Sequence, residues 1–281
     1  GALVRVKVTK GNAGSGVVFR AGEGVGTVTL PGLPLPPGEP AINPASRKMI
    51  AQAIQQVAAE HGGEGDAVVE ISIPDGERMA QQTMNARLGI KGGLSILGTT
   101  GIVVPYSCAA WIASIHQGLD VARHAGIVHV AGATGSTSEA AVAKLYALPE
   151  LARIDMGDFV GGMLKHLRAH PIARVTIAGG FAKLTKLGQG LLDLHSKRGA
   201  LDHDWLGAAA RDAGAGDALV SAIVNAHTGL EALTLCRQQN FPIGDVVARA
   251  ARLVAAKQVE GSGIALDVAV FDREGHLIGT S

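Results

Sequence analysis

Short segments in which apolar and polar residues alternate open the chain, a pattern typical of half-buried β-strands. Residues 3–9 and 25–30 alternate in this way, and residues 67–73 form a more apolar strand that ends at a Pro-Asp-Gly turn. The proline-rich residues 31–40 cannot form a central strand, because proline has no amide donor. The first part of the chain is therefore predicted to contain short strands joined by ordered loops.

A helix is predicted to begin at Asn43 and Pro44, since proline fits the first helical turn. Ile50, Ile54 and Val57 then recur on one face of this helix. Strands and helices that mix without strict alternation indicate an N-terminal α+β domain, which we expect to span residues 1–92.

The pattern changes at Gly93, from where β-rich apolar segments run through glycines into helices. Three segments have this form: LSILGTTG at 94–101, IVHVAGATGSTSEA at 127–140 and RVTIAGGFAKLTKL at 174–187. Strands that alternate with helices predict a parallel sheet. Residues 93–215 are therefore expected to form a Rossmann-like domain.

Further helices are predicted at 107–124, at 155–168 and from 217 to 257. A strand at 264–271 and a short turn follow, so that residues 216–281 are expected to pack back on the preceding domains. The fold as a whole is predicted to be of the α/β class, with an α+β N-terminal domain.

Composition excludes several classes of protein. Apolar residues make up 47% of the chain, and 25 Lys and Arg nearly balance 24 Asp and Glu. The apolar content excludes intrinsic disorder, and the charge balance argues against broad nucleic-acid binding, which needs a basic surface. The longest uncharged run, at residues 92–119, is interrupted by Gly, Pro and His, so no membrane span is expected.

The two cysteines, Cys108 and Cys236, lie far apart and form no Cys-x-x-Cys motif. Buried thiols of this kind are typical of a reducing compartment. The chain opens with a basic, strand-like segment rather than a signal peptide. These observations predict a cytoplasmic protein without a metal site of its own.

The best candidate for ligand binding is the glycine-rich turn after the second of the three strand-to-helix segments. Gly132, Thr134 and Gly135 lie there, and glycines let the backbone approach a ligand closely. Thr137 or Ser138 is expected to cap the next helix. Because the full G-x-G-x-x-G pattern is missing, a plain tight turn stays an alternative.

Charged residues offer two further candidates. Asp155 and Asp158 stand where the next helix is predicted to begin, and an acid there either caps the helix or accepts the hydroxyls of a ribose. Between residues 160 and 200 the chain has seven cations and one acid. This stretch is either a solvated face or a pocket for a small polyanion, which Lys and Arg bind through charge-assisted hydrogen bonds.

Several segments together resemble one known family. They are PAINP and RKMI within 40–50, NARLGI at 85–90, GGLSILGTTGIV at 92–103, MGDFVG at 156–161 and HSK at 195–197. In this order they are similar to the CbiD family, the cobalt-precorrin-5B C-1-methyltransferases. The resemblance extends from about Lys7 to the C-terminus.

The resemblance implies an enzyme that methylates C-1 of a reduced tetrapyrrole with S-adenosylmethionine during cobalamin synthesis, with cobalt present only in the substrate. The donor is then expected to lie on two glycine loops and one acid: Gly98, Thr99, Thr100, Gly101, Gly132, Thr134, Gly135 and Asp158. Cations are expected to bind the acetate and propionate arms of the acceptor: Arg47, Arg87, Lys91, Lys183, Lys186, Lys197 and Arg198. His195 is the candidate for removing a ring proton.

Two alternatives stay open at this point. A non-catalytic tetrapyrrole carrier would bind the pigment through the same cations, and a nicotinamide-dependent reductase would belong to the same pathway. The incomplete glycine pattern argues against the reductase. No nucleic-acid or membrane partner is expected, and a homo-oligomer is compatible with the sequence.

Overall fold

The structure is a computed structural model that describes residues 2–96 and 107–281. The chain divides into two compact units, Gly1–Ala110 and Trp111–Ser281. The three-part division expected from the sequence, with boundaries after residues 92 and 215, stays a prediction. Across the described ranges, no helix is long and apolar enough to cross a membrane.

The first unit contains a small mixed sheet covered by a helix. Its elements are β1 (Arg5–Lys10), β2 (Val17–Ala21), β3 (Thr27–Val28), α1 (Pro44–Glu60), β4 (Ala67–Ser72), α2 (Gly76–Ala80) and β5 (Ile90–Lys91). The sheet order is β1-β4-β2, in which β4 runs antiparallel to β1 and parallel to β2. β3 and β5 form a separate antiparallel pair.

The helix predicted at Asn43 and Pro44 is confirmed. The Asn43 side chain accepts a hydrogen bond from the Ala45 amide at 2.9 Å, and Pro44 is the first helical residue. Ile50 and Ile54 pack against the core formed by the buried side of the sheet, whereas Val57, expected on the same face, is exposed. The predicted strand at 25–30 shrinks to β3, and β2 was missed.

The second unit is an α/β sandwich built on one five-stranded sheet. Its strands are β6 (His129–Ala133), β7 (Arg153–Asp155), β8 (Arg174–Gly180), β9 (Ala265–Phe271) and β10 (Leu277–Thr280). Its helices are α4 (Ser136–Leu145), α5 (Val160–Ala169), α6 (Phe181–Gly188), α7 (His203–Asp212), α8 (Asp217–Val224), α9 (Gly229–Gln238) and α10 (Ile243–Gln258). Helix α3 (Cys108–His124) crosses the boundary between the units.

The order of this sheet is β10-β9-β8-β6-β7, and all neighbours except β9 and β10 run parallel. The predicted α/β class is confirmed, and the returning strand at the C-terminus joins this sheet. From β6 the chain moves outward to β7 on one side, and then crosses to β8 on the other. The strand order therefore reverses between β6 and β8, where parallel sheets bind ligands at their carboxyl ends.

Two details around the carboxyl edge differ from prediction. The helix predicted to begin at 155 begins only at Val160, and Asp155 is the last residue of strand β7. The three residues of β7 pair with β6, and this tertiary contact leaves no pattern in the local sequence. Helix α4 begins at Ser136 with Gly135 at its N-cap position, so neither Thr137 nor Ser138 is its cap. The Ser138 hydroxyl instead donates to the Gly135 carbonyl at 2.9 Å.

Candidate functional site

A cavity of about 550 Å³ opens at the carboxyl end of the parallel strands in the second unit. It lies where the strand order reverses, between the loops that follow β6, β8 and β9. Its lining is Thr134, Gly135, Ser136, Thr137, Ser138, Gly180, Phe181, Ala182, Lys183, Leu230, Leu233, Arg237, Phe271, Asp272, Arg273 and Glu274. This volume falls within the range of small-molecule sites, about 300–1,000 Å³.

The N-terminus of α4 forms one wall of the cavity. Gly135 is extended at φ 170°, and an added Cβ there would meet no atom of the described residues within 4 Å. Its N-cap residue, Gly135, has no side chain with which to cap the helix. The amides of its first turn and the positive end of its dipole therefore face a space that a ligand can enter.

Lys183 and Asp158 form a clasp across the carboxyl ends of three strands. The Lys183 Nζ donates to the Thr134 carbonyl at 2.7 Å and lies 3.0 Å from the Asp158 Oδ1. Thr134 follows β6, Asp158 follows β7, and Lys183 is in the first turn after β8. The structure therefore brings a residue predicted to bind the acceptor onto the loop predicted to bind the donor.

The opposite wall contains charged residues that sequence reasoning missed. The Asp272 side chain is 7% exposed and accepts a hydrogen bond from the Arg237 guanidinium at 2.8 Å. Burial alone would raise the pKa of Asp272, but hydrogen bonds from Arg237 and His276 outweigh it and lower that pKa. The one signal in the sequence is an acidic turn directly after the last parallel strand, where ligand-binding loops lie.

Asp272, Glu274 and His276 place one ligand atom each within 4.8 Å of one another, the only such group of three or more found in the part of the chain that the structure describes. Because the Asp272 carboxylate already binds Arg237 and His276, this group is better described as an ion-pair network.

A His-x-x-x-His spacing, which sequence reasoning overlooked, occurs at His166 on α5 and His170, the residue directly after this helix. The two rings lie 4.6 Å apart, and His166 also stacks on His116 at 4.3 Å. The Nε2 of His166 lies 2.9 Å from the Asp120 Oδ1, so this nitrogen is taken by a carboxylate. Burial, together with the neighbouring His116 and His170, lowers the pKa of His166 although Asp120 acts to raise it.

The glycine loops predicted to bind the donor are only partly found at the cavity. Gly132 lies inside β6, where an added Cβ would clash with Met163 and come within 2.9 Å of the Met156 sulfur. Gly132 therefore allows α5 to pack closely on the sheet, whereas Thr134 and Gly135 line the cavity. The other predicted loop, Gly98, Thr99, Thr100 and Gly101, lies outside the described residues.

The cationic stretch between residues 160 and 200 is divided among several environments. Arg174 pairs with Asp267 at the amino end of β8, away from the cavity. Lys186 is 9% exposed and donates to the Leu194 carbonyl at 3.2 Å, so its ammonium is held inside the protein. Of the predicted acceptor residues in this stretch, Lys183 alone lines the cavity.

His195, Lys197 and Arg198 are exposed on the loop after α6. The His195 Nδ1 accepts a hydrogen bond from the Lys197 amide at 3.2 Å, and the residue as a whole is exposed. The loop is tied to the clasp, because the Leu194 amide donates to the Asp158 carbonyl at 2.9 Å. The proton-transfer role of His195 stays a prediction.

In the first unit, Arg47 holds the proline-rich loop in place. Its guanidinium pairs with Glu39 at 2.7 Å and donates to the carbonyls of Pro40 and Ile42. These contacts engage the donors that were expected to meet substrate arms. Arg87 is half-buried, and Lys91 is exposed on β5.

The NARLGI segment and the glycines that follow it are closely packed and joined by hydrogen bonds. The Asn85 side chain is 8% exposed, donates to the Gly93 carbonyl at 2.9 Å and accepts from the Ser95 hydroxyl at 3.2 Å. A Cβ at Gly93 would collide with the Gly24 backbone, so only glycine fits. Asn85 and Gly93 therefore have a structural role in the described part of this unit: one holds the backbone by hydrogen bonds, and the other allows close packing.

Models of protein families match two parts of the chain. The model described as CbiD matches residues 1–105, and that described as CbiD, C-terminal domain, matches residues 193–281. A curated relative from Bradyrhizobium sp., named cobalt-precorrin-5B C(1)-methyltransferase, is 63% identical over 279 residues, which cover 99% of this chain and 74% of the relative. A relative of the same name from Methylorubrum extorquens is 60% identical and 77% covered.

A solved structure, described as a cobalamin biosynthesis protein (cbiD) from Archaeoglobus fulgidus, is 28% identical to this chain. It matches 70% of this chain and 60% of that chain with a TM-score of 0.31. The family models and the curated relatives, rather than this superposition, establish the relationship. The chain belongs to the CbiD family.

Proposed function

We propose that this protein transfers a methyl group from S-adenosylmethionine to C-1 of a cobalt-precorrin-5B-like tetrapyrrole in cobalamin biosynthesis. The protein is a C-methyltransferase, as its family and the names of its curated relatives indicate. Those names support neither the carrier nor the reductase considered above. Cys236 is buried as expected, whereas Cys108 is exposed; both thiols are free, which fits a reducing compartment, and we place the reaction in the cytoplasm.

The cavity of the second unit is the proposed donor site. One observation carries this assignment: the cavity lies at the reversal of strand order, and the N-terminus of α4, whose N-cap residue is Gly135, is in its wall. A helix N-terminus attracts anions, so the first turn of α4 suits the carboxylate of the donor's methionine part. Thr134 and Gly135 belong to the proposed contact surface, and Asp158 approaches it through Lys183.

The clasp between Lys183 and Asp158 suits the chemistry of methyl transfer. The bond between sulfur and methyl breaks as the new carbon–carbon bond forms, so the positive charge of the sulfonium spreads in the transition state. A bare carboxylate beside the sulfonium would stabilise the ground state more than the transition state and so slow the reaction. Lys183 neutralises Asp158 at 3.0 Å, which lessens this effect.

Positioning supplies most of the catalysis in this proposal. Holding two reactants in line is worth about 7–11 kcal/mol of the barrier. Lys197 and Arg198, both exposed beside the clasp, are the cations of this unit that we assign to the carboxylate arms of the acceptor. Cobalt enters as part of the acceptor.

Calorimetric titration of the intact protein with S-adenosylhomocysteine tests the donor site. We expect saturable binding that Gly135→Val blocks, because its side chain would project into the cavity. Gly216→Val is the matched control, since Gly216 is also an N-cap glycine whose added Cβ would meet no described atom within 4 Å. Absence of binding to the unaltered protein, or equal losses in both variants, would refute the assignment.

A further inference from the structure

Trp111 is an exposed aromatic residue beside the carboxyl end of β7, the strand next to β6 in the sheet. The chain has two tryptophans, and Trp205 packs against the core of the second unit. Trp111 is 40% exposed, although burying a ring of this size would release much apolar surface from water. An aromatic residue kept partly in solvent at the carboxyl end of a parallel strand calls for an explanation.

The ring of Trp111 is held in one orientation by its neighbours. Its indole Nε1 donates to the Asp155 carbonyl at 3.1 Å, at the end of β7. The ring lies over Gly157, where an added Cβ would come within 3.1 Å of Cζ2. Gly157 also has a φ of 53°, which favours glycine. Phe159 supports the ring at a centroid distance of 6.2 Å.

The residue that holds this ring, Asp155, lies one strand away from the loop that lines the proposed donor site. Asp155 is the register partner of Ala133 in the parallel pair of β7 and β6, and Ala133 directly precedes Thr134 of the cavity lining. The amides of Met156 and Gly157 both donate to the Ala133 carbonyl, at 3.0 and 3.2 Å. Since neighbouring strands lie about 4.8 Å apart, the indole nitrogen is within about 10 Å of Ala133.

We propose that Trp111 is the stacking surface for the adenine ring of the methyl donor. The assignment rests on the proposed donor site and adds the residue that would recognise the base. A flat ring fixed by a hydrogen bond and a glycine seat is preorganised for stacking, so little entropy is lost when the base binds. Stacking recognises the π-face of the base and leaves its polar edges to other groups.

The adenine ring fits this surface better than the acceptor does. Adenine is a flat bicyclic ring of the same size as indole, whereas a reduced tetrapyrrole contains saturated carbons and is ringed by carboxylate arms. Asp155 and Asp158, which flank the Gly157 seat in the sequence, are better suited to ribose hydroxyls than to carboxylates, because like charges repel.

Tryptophan fluorescence tests the contact directly, with the second tryptophan as control. Titration with S-adenosylhomocysteine should quench the fluorescence of the unaltered protein and of Trp205→Phe to a similar extent. The quench should disappear in Trp111→Phe, where the remaining emission comes from Trp205. A quench that persists in Trp111→Phe and vanishes in Trp205→Phe would overturn the proposal.

Binding and kinetics separate recognition of the base from a purely structural role. Trp111→Ala should weaken binding of S-adenosylhomocysteine and of adenosine by the same factor, about 5- to 150-fold. Trp111→Phe, which keeps an aromatic face, should recover most of this affinity. The KM for the donor should rise in Trp111→Ala, while kcat and the KM for the tetrapyrrole stay within about twofold.

The outcomes distinguish this proposal from the one on which it rests. If the unaltered protein does not bind S-adenosylhomocysteine, the donor site itself fails. If the unaltered protein binds and Trp111→Ala binds equally well, the assignment of Trp111 alone fails. A rise in the KM for the tetrapyrrole instead of the donor would assign the ring to the acceptor and overturn the adenine contact.

Discussion

Replacing Gly132 by alanine tests whether this glycine serves packing or ligand binding. The new methyl group would clash with Met163 and approach the Met156 sulfur to 2.9 Å, and both methionines are fully buried. Extra atoms in a filled core typically cost about 1–3 kcal/mol. For a unit of this size, each kcal/mol lowers the melting temperature by about 2–4 °C. Gly132→Ala should therefore melt roughly 2–12 °C below the unaltered protein.

Gly135→Ala is the matched comparison, because its methyl group would meet no described atom within 4 Å and its backbone is extended. Its melting temperature should stay near that of the unaltered protein. Differential scanning calorimetry measures both transitions, and titration with S-adenosylhomocysteine measures donor affinity below them. Gly132→Ala should bind as tightly as the unaltered protein while still folded. A normal melting temperature combined with lost affinity would show that Gly132 contacts the ligand and that the packing argument is wrong.

Two further substitutions test buried charge and titration. The Lys186 ammonium already binds the Leu194 carbonyl, so Lys186→Met should leave the affinities for donor and tetrapyrrole within twofold. Thermal melts should show a loss of about 1–3 kcal/mol of stability. A large loss of tetrapyrrole binding would contradict this reasoning. Burial lowers the pKa of His166 from 6.5, so the unfolded state takes up the proton first and stability falls as pH drops below about 6.5. His166→Gln keeps a hydrogen-bond donor for Asp120, and its free energy of unfolding, measured by chemical denaturation, should fall less between pH 7 and pH 5 than that of the unaltered protein. An unchanged pH dependence would show that another group causes the loss of stability.

Local signals in the sequence predict local structure well. Helix α1 begins where Asn43 and Pro44 indicate, since both the cap and the first turn depend on neighbouring residues. The strand-to-helix segments at β6 and β8 were also predictable, because their apolar runs and glycines repeat one pattern. Strand β7 was not, because Arg153–Asp155 are too few to show a period and pair only through the fold.

The site was only partly predictable for the same reason. Lys183 and Lys186 lie three positions apart on α6, and nothing in the sequence distinguishes them, so both were predicted to bind the acceptor. One reaches the clasp at the cavity, whereas the other points into the protein toward Leu194. Which side of a short helix is covered depends on a loop that folds over it, and no periodicity within the helix reports that. Asp272 and Arg237 come together from distant segments and were missed altogether.

At each of the two charge pairs around the cavity, a cation neutralises a carboxylate. Lys183 neutralises Asp158 on one side, and Arg237 neutralises Asp272 on the other. A cationic donor would bind more tightly to unpaired carboxylates, but that gain would be lost as its charge spreads in the transition state, and the barrier would rise. Paired charges still offer polar contacts that orient the ligand without favouring the charged ground state. In this protein, affinity for the donor is therefore expected to come from the α4 amides and from the face of Trp111, which act equally on both states, while catalysis comes from alignment.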